Sequence, residues 1–250
     1  MNQYEFCASW ITDQISKAAD KIKVLDYGCG DGKIVEELRE KDVEAFGCDI
    51  FYGGNDDLKV VNTEFLKISI IRKMETTIIP FDDNSFNYVI NNQVMGHVED
   101  LDSVLSEIYR VLKPGGAVLS LFPHKEIWPE VHCGISFLHW FAKGHRLRVY
   151  YALAFRLLGF GSHKANKDPM SWSVHKCDWI DKWTYYRSLT EIQNTYNKYF
   201  VEIHHIEDYW LRQRLVGYRN EIANCMPLIA QRLVARKFGG LVFTSCKPLT

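Results

Sequence analysis

Val24-Leu25-Asp26-Tyr27-Gly28-Cys29-Gly30-Asp31-Gly32 is the stretch whose reading decides the fold. Ile22 to Tyr27 is a short β-prone run, and Gly32 to Lys41 carries Ile34, Val35 and Leu38 on one side of a helix. The glycines therefore stand where a strand turns into a helix. There they let the backbone turn sharply and approach a ligand closely. Their spacing is G-x-G-x-G, whereas a dinucleotide fingerprint needs its third glycine at the position held by Lys33. Asp26, at the strand end, would repel a pyrophosphate and welcome a cationic ligand.

Working outward, the alternation continues. Tyr4 to Ala19 reads as a leading amphipathic helix, with Phe6, Trp10, Ile11 and Ile15 at helical spacing. Glu44 to Asp49 is a second strand, Leu66 to Met74 a third, Phe86 to Asn91 a fourth and Ala117 to Phe122 a fifth. A helix over Leu101 to Leu112 is stopped by Lys113-Pro114-Gly115-Gly116. Strand and helix at this spacing predict an α/β fold with a parallel sheet covered on both faces. Further on, Leu189 to Tyr199 is helical, Phe200 to His205 a strand, and Tyr209 to Arg236 two helices parted near Met226-Pro227. Leu241 to Cys246 is the last strand.

The 250 residues are 47% hydrophobic and 24% charged, an ordinary globular composition. The formal net charge of -1 gives no protein-wide basic footprint for nucleic acid. Seven cysteines without C-x-x-C spacing speak against a disulfide framework or zinc knuckle and for a reducing compartment. No signal peptide and no apolar run long enough for a membrane span is visible, so the expectation is a cytoplasmic protein, with peripheral membrane association as the alternative.

Five motifs stand in order: VLDYGCGDG at 24–32, Asp49, Ile79-Pro80-Phe81-Asp82-Asp83-Asn84-Ser85-Phe86, Asn92-Gln93-Val94-Met95-Gly96-His97-Val98, and Leu112-Lys113-Pro114-Gly115-Gly116. Together they resemble the class I S-adenosylmethionine-dependent methyltransferases, in the small-molecule, type 11 flavour, over residues 20 to 122. The resemblance implies a doubly wound, mostly parallel seven-stranded sheet with its last strand antiparallel. It implies S-adenosylmethionine as cofactor and S-adenosylhomocysteine as product. Asp26, Gly28, Cys29 and Gly30 would surround the methionine moiety. Asp49 would bind both ribose hydroxyls, and Ile50 would pack on adenine. Glu75 stands where the family often has an acid for the adenine amino group, and Asn92 and Gln93 would line the sulfonium side.

Methyl transfer from a sulfonium needs alignment and exclusion of water, and a hydroxyl acceptor also needs a base. His97, after the fourth strand, and His132 are the candidate bases. The alternative for His97 is a packing role at the following helix. His124, Glu130 and His139 follow the fifth strand, whose end faces the site, and are candidate acceptor contacts. Their spacing has no dense ligand motif, so no metal is expected.

Three parts are expected: residues 1–122 as the cofactor-binding half, 123–187 as a helical cap, and 188–250 as the remainder with a helical insertion before the last strand. The cap segment holds ten lysines and arginines against five acids, and five of the seven tryptophans. One reading is a solvated face. The other is a lid for an acceptor carrying phosphate or carboxylate, held by Arg146 and Arg148. Ile135 to Phe160 suits a buried helical pair or a membrane surface. The expected activity is O-methylation of a small or glycan-like, anionic acceptor. An NAD-dependent oxidoreductase and a catalytically silent binding protein are the rivals.

Overall fold

The computed structural model describes residues 1–15, 21–53, 57–164 and 166–249. Its centre is a seven-stranded sheet in the order β3-β2-β1-β4-β5-β7-β6. The strands are β1 Lys23–Tyr27, β2 Glu44–Asp49, β3 Ile71–Lys73, β4 Phe86–Asn92, β5 Leu112–Phe122, β6 Val201–His205 and β7 Leu241–Cys246. β1, β2, β3, β4 and β5 run parallel, and β7 runs antiparallel to both of its neighbours. The expected doubly wound α/β sheet with an antiparallel last strand is therefore present.

The strand order reverses between β1 and β4, which pair at Val24–Tyr88, Leu25–Val89 and Asp26–Ile90. In open α/β sheets ligands bind at such a switch point, beyond the carboxyl ends of the strands. Those ends are Tyr27-Gly28 and Asn92-Gln93. β1 is buried on both faces, as a central parallel strand covered by helices must be.

The helices are α1 Gln3–Ile15, α2 Lys33–Arg39, α3 Asp57–Val60, α4 Thr63–Lys67, α5 Leu101–Val111, α6 Arg146–Leu157, α7 Pro169–Trp183, α8 Leu189–Tyr196, α9 Glu207–Arg214, α10 Tyr218–Cys225 and α11 Leu228–Phe238. α5 shows how sequence dictates placement. Leu101, Val104, Leu105, Ile108 and Val111 form its buried stripe, and the Asp100 side chain caps it by accepting from Ser103 N at 3.1 Å. One apolar cluster lies under α1 and α2 and a second under α5 and α8.

Three expectations change. The third strand covers only Ile71–Lys73, because Asn62 caps a short helix, α4, over part of the apolar run assigned to it. The C-terminal helical region has three helices instead of two, since Gly217, with φ of 60°, breaks the chain ahead of α10. β5 starts at Leu112, with a register shift opposite Phe86/Tyr88 that absorbs Lys113-Pro114-Gly115-Gly116. The leading helix begins as expected; residues 16–19 lie outside the described residues.

Between β5 and α8 the chain packs α6, α7 and a 3-10 turn at Leu138–Trp140 around a third cluster: Cys133, Ile135, Leu138, Ala152, Trp172, Cys177 and Ile180. Most of the Ile135 to Phe160 stretch thus folds as protein interior and helix, although Leu147, Tyr150, Leu157, Leu158 and Phe160 face outward.

Candidate functional site

A cleft of about 440 Å³ opens at the switch point. Its floor is the turn after β1, where Gly28, Gly30 and Gly32 all have positive φ. The turn is tied to β2 because the Cys48 carbonyl accepts from Gly28 N at 2.8 Å and Cys29 N at 3.1 Å. A Cβ at Gly28 would stand 2.3 Å from Val94 Cγ2, so the loops after β1 and β4 close on one another only with glycine there.

Asp49 ends β2 in the same wall, nearly buried. Its Oδ2 accepts from Gly30 N at 2.9 Å and its Oδ1 from Phe51 N at 2.6 Å. Each oxygen keeps a further lone pair, so a carboxylate held this way presents a fixed fork to two vicinal hydroxyls. Asp26 is buried one residue before the end of β1, and its Oδ1 has no hydrogen-bond partner. Burial, with the charges of Asp49 and Asp31, raises its pKa well above the ordinary carboxyl value. Asn92 Oδ1 is a second buried acceptor without a partner. Unpaired buried acceptors beside a glycine turn fit a ligand that brings an ammonium group. An adenosine carrying a cationic amino-acid tail matches both the acceptors and the carboxylate fork.

Gly28, Cys29, Gly30, Asp49, Ile50, Asn92, Gln93 and His97 all lie in the cleft wall. Glu75 does not: it is exposed, while Met74, held by its N–H donating to the Asp49 carbonyl at 2.8 Å, lines the cleft instead. Gln93 is held at φ of 63° with its N–H donating to the Leu121 carbonyl at 2.6 Å, a left-handed backbone at the floor's far edge.

His97 is anchored from the cap. Its Nδ1 stands 2.6 Å from the main-chain oxygen of Trp183. A carbonyl can only accept, so Nδ1 carries the proton and Nε2 the lone pair. Burial lowers the pKa of His97, against the opposing pull of the Trp183 carbonyl and Asp49. Aromatic rings surround it. Tyr52 lies 5.6 Å from His97 and 4.9 Å from Trp183 between ring centroids. His132 packs edge-on against His97 at 5.0 Å and tilted against Trp179 at 4.8 Å. Burial, with the charge of His97, pushes the His132 pKa down to about 3, so it is neutral. It backs His97 without lining the cleft.

The remaining cap expectations meet a different arrangement. Glu130 is fully buried and holds backbone: it accepts from Tyr186 Oη at 2.8 Å, His132 N at 2.9 Å and Cys133 N at 2.8 Å. Burial still raises its pKa. His139 lies behind the cleft, its ring 4.9 Å from Tyr186 and its Nε2 donating to the Lys125 carbonyl at 3.2 Å. His124 is buried with its Nε2 3.7 Å from Glu126. Burial pushes both of these histidines down to about 4. Arg148 is buried and bonded to Asp181, so it cannot hold an acceptor's phosphate. Arg146 is exposed at the start of α6 and is not part of the cleft wall.

The cap's charges are largely tied to the protein itself. Lys143 Nζ donates to the Asp181 and Thr184 carbonyls, and Arg187 donates to the Glu99 and Tyr185 carbonyls. Among the described residues lining the cleft, Lys182 is the one lysine or arginine, set against Asp31, Asp49 and Glu99. Sequence reasoning missed Tyr4, Tyr52, Met74, Trp183 and Tyr185 in that wall. The aromatic run Trp183-Thr184-Tyr185-Tyr186, at the end of the cap, was the signal available for two of them.

Comparison with known proteins agrees with this geometry. Residues 25–120 match the family described as "Methyltransferase domain". A sterol 24-C-methyltransferase (erg6) of Schizosaccharomyces pombe is 28% identical over 210 residues, covering 72% of this chain and 54% of that protein. The chain thus spans about half the length of that relative. Among solved structures, an S-adenosylmethionine-dependent methyltransferase from Mesorhizobium loti superposes with a TM-score of 0.55 at 13% identity, covering 98% of this chain and 100% of that one. A Haemonchus contortus phosphoethanolamine N-methyltransferase 2, solved with phosphomonomethylethanolamine and S-adenosylhomocysteine, gives 0.53 at 17%, covering 97% and 53%. At these identities the structural likeness concerns the fold.

Proposed function

From the match of residues 25–120 to the methyltransferase domain family, we propose that this chain is an S-adenosylmethionine-dependent methyltransferase that methylates a hydroxyl oxygen of a small acceptor presenting a flat apolar face, such as a sugar ring. The cofactor is S-adenosylmethionine. Gly28, Gly30, Asp26 and Asn92 surround its amino-acid end, Asp49 takes the ribose hydroxyls, and Ile50 and Met74 flank the adenine. When bound, S-adenosylmethionine supplies a methyl group already activated by its sulfonium.

The observation that carries the reading is the Trp183 carbonyl at His97 Nδ1, which leaves Nε2 as a neutral acceptor in the cleft wall. A general base must be unprotonated at working pH and within reach of the proton that it takes. As that base, His97 would meet the first condition through burial, and its place in the cleft wall between the glycine turn and the cap supports the second. Tyr52, Trp183 and Tyr185 exclude water and align the acceptor by contact with its apolar face. With Lys182 facing three acids in the wall, the charge balance favours an uncharged acceptor over the phosphate- or carboxylate-bearing one that composition suggested.

The test incubates the purified chain with S-adenosylmethionine and an acceptor panel of sugars, phenols, amines and carboxylates, reading S-adenosylhomocysteine release. Turnover on hydroxyl acceptors with none on amines supports the reading. Binding of S-adenosylhomocysteine without turnover on any acceptor would instead leave a silent binding protein.

A further inference from the structure

We infer that the outward face of α6, on the cap, docks on an anionic lipid bilayer. α6 buries Arg148 and Ala152 against α7. Leu147, Tyr150, Ala154 and Leu157 recur at i, i+3, i+7 and i+10, so they share one side of the helix. That side is turned away from Arg148 and Ala152. Leu147, Tyr150 and Leu157 are 60%, 59% and 68% exposed, and Ala154 is exposed with them. Leu158, four residues after Ala154, carries the stripe one position further and is also exposed. At a rise of about 1.5 Å per residue the stripe runs for about 15 Å without a charged side chain. Scattered exposed apolar residues are ordinary, but an unbroken apolar helix face marks an interaction surface.

Charge selects the occupant. From Val131 to Lys167 the chain carries six lysines and arginines and no aspartate or glutamate. Among the described residues, Arg148 is the one of the six that meets a carboxylate, that of Asp181. Arg146 stands exposed beside Leu147 at the first position of α6. At the other end Lys164 Nζ donates to the Gly159 carbonyl at 2.8 Å, which sets an ammonium one residue beyond Leu158. A carbonyl is neutral, so this bond fixes the cation without cancelling it. A second copy of this face would bring like charge against like charge. A bilayer with anionic headgroups offers the opposite sign at both ends of the stripe and hydrocarbon between them. Among the described residues no helix is long and apolar enough to cross a membrane, so the contact lies along the surface. Arg148 ties the start of α6 to Asp181, next to Lys182 and Trp183 in the cleft wall, so a docked α6 holds the cleft beside the membrane surface. The inference is independent of the methyl-transfer reading.

The experiment sediments the full chain with vesicles of phosphatidylcholine alone and of phosphatidylcholine with phosphatidylglycerol, at low and high salt. Binding to the phosphatidylglycerol vesicles, weakened by salt, is expected. Leu147→Glu and Leu157→Glu should each lower that binding by about tenfold or more, and Arg146→Gln by about fivefold. All three positions are exposed, so the thermal melts should match the parent. Ile229→Glu, exposed on α11, should bind as the parent does. Failure to bind the phosphatidylglycerol vesicles, equal binding to both vesicles, or unchanged binding by the Leu147→Glu, Leu157→Glu double variant overturns the inference. So does an equal loss in Ile229→Glu, which would put the contact elsewhere. A dimer in light scattering that Leu157→Glu dissociates also overturns it, since the face would then belong to a second copy.

Discussion

The Nδ1 of His97, in the loop after β4, is bonded at 2.6 Å to the main-chain oxygen of Trp183, the last residue of α7. One contact thereby fixes the imidazole's tautomer and joins the cap to the cofactor floor. His97→Ala should lower kcat by about 10²–10⁴ while leaving S-adenosylhomocysteine affinity within about twofold. The pH profile of the parent follows from the direction of the shift. A base whose pKa is depressed below 6.5 is already neutral at pH 7. Turnover should therefore rise through a pKa below that value and stay level above it. A plateau reached only above pH 8, or an intact kcat in the variant, would remove His97 from the chemistry.

Asp49 predicts a loss of binding. Asp49→Ala removes two charge-assisted hydrogen bonds to ribose, a loss on the order of 1–3 kcal/mol, or about ten- to hundredfold in affinity. Calorimetry with S-adenosylhomocysteine reads it directly. The same variant also frees Gly30 N and Phe51 N, so a folded control, checked by circular dichroism, accompanies it. Unchanged affinity would reassign the fork to loop closure alone.

Asp26 predicts opposite effects on stability and binding. Its pKa is raised in the folded protein. A raised carboxyl contributes stability below its unfolded pKa, near 4, and loses that contribution as pH rises through the folded value. Ionisation of Asp26 therefore costs stability without a cation, and Asp26→Asn should raise the melting temperature of the ligand-free protein at alkaline pH by about 2–4 °C for each kcal/mol relieved, with the gain shrinking toward pH 4. It should also weaken S-adenosylmethionine more than an analogue lacking the amino group. A lower melting temperature, or equal loss for both ligands, would contradict this.

Three cap histidines set the acid limit of the fold. His132, His124 and His139 are pushed down to about 3, 4 and 4, burial being the first cause of each. A depressed histidine contributes stability above its unfolded pKa, near 6.5, and loses it as pH falls toward the folded value. Thermal melts should decline from about pH 6.5 toward pH 4. Each histidine replaced by glutamine should flatten the decline by about 1.4 kcal/mol per pH unit. Melts that stay level to pH 4 would mean that these rings are hydrated or paired.

The parts of the site read from sequence are those fixed within a few residues of a strand end. Gly28, Gly30 and Asp49 each follow a β run whose neighbours are local, so the turn chemistry predicts their place. Glu75 failed by one position. β3 stops at Lys73, Met74 is held to the Asp49 carbonyl and faces the cleft, and the following residue turns outward. Composition counted Arg148 as a free cation because a linear sequence does not reveal that Asp181 lies against it in the fold. Trp183 and Tyr185 reach the cleft only because α7 packs on α6 and returns the chain to the loop after β4. No periodicity within either segment encodes that meeting.

The cap keeps its own apolar cluster, with none of its seven buried members shared with the two clusters against the sheet. Its opening therefore need not await global unfolding. Native-state hydrogen exchange should resolve α6 and α7 as a cooperative unit that opens at lower free energy than β1 and β4. In the opened form His97 loses the Trp183 carbonyl while Gly28, Gly30 and Asp49 stay in place. A molecule opened in this way would keep the strand-end turns that face the cleft while loosening the roof above them, so the way the hydrophobic interior is partitioned predicts that acceptor exchange needs less unfolding than cofactor exchange.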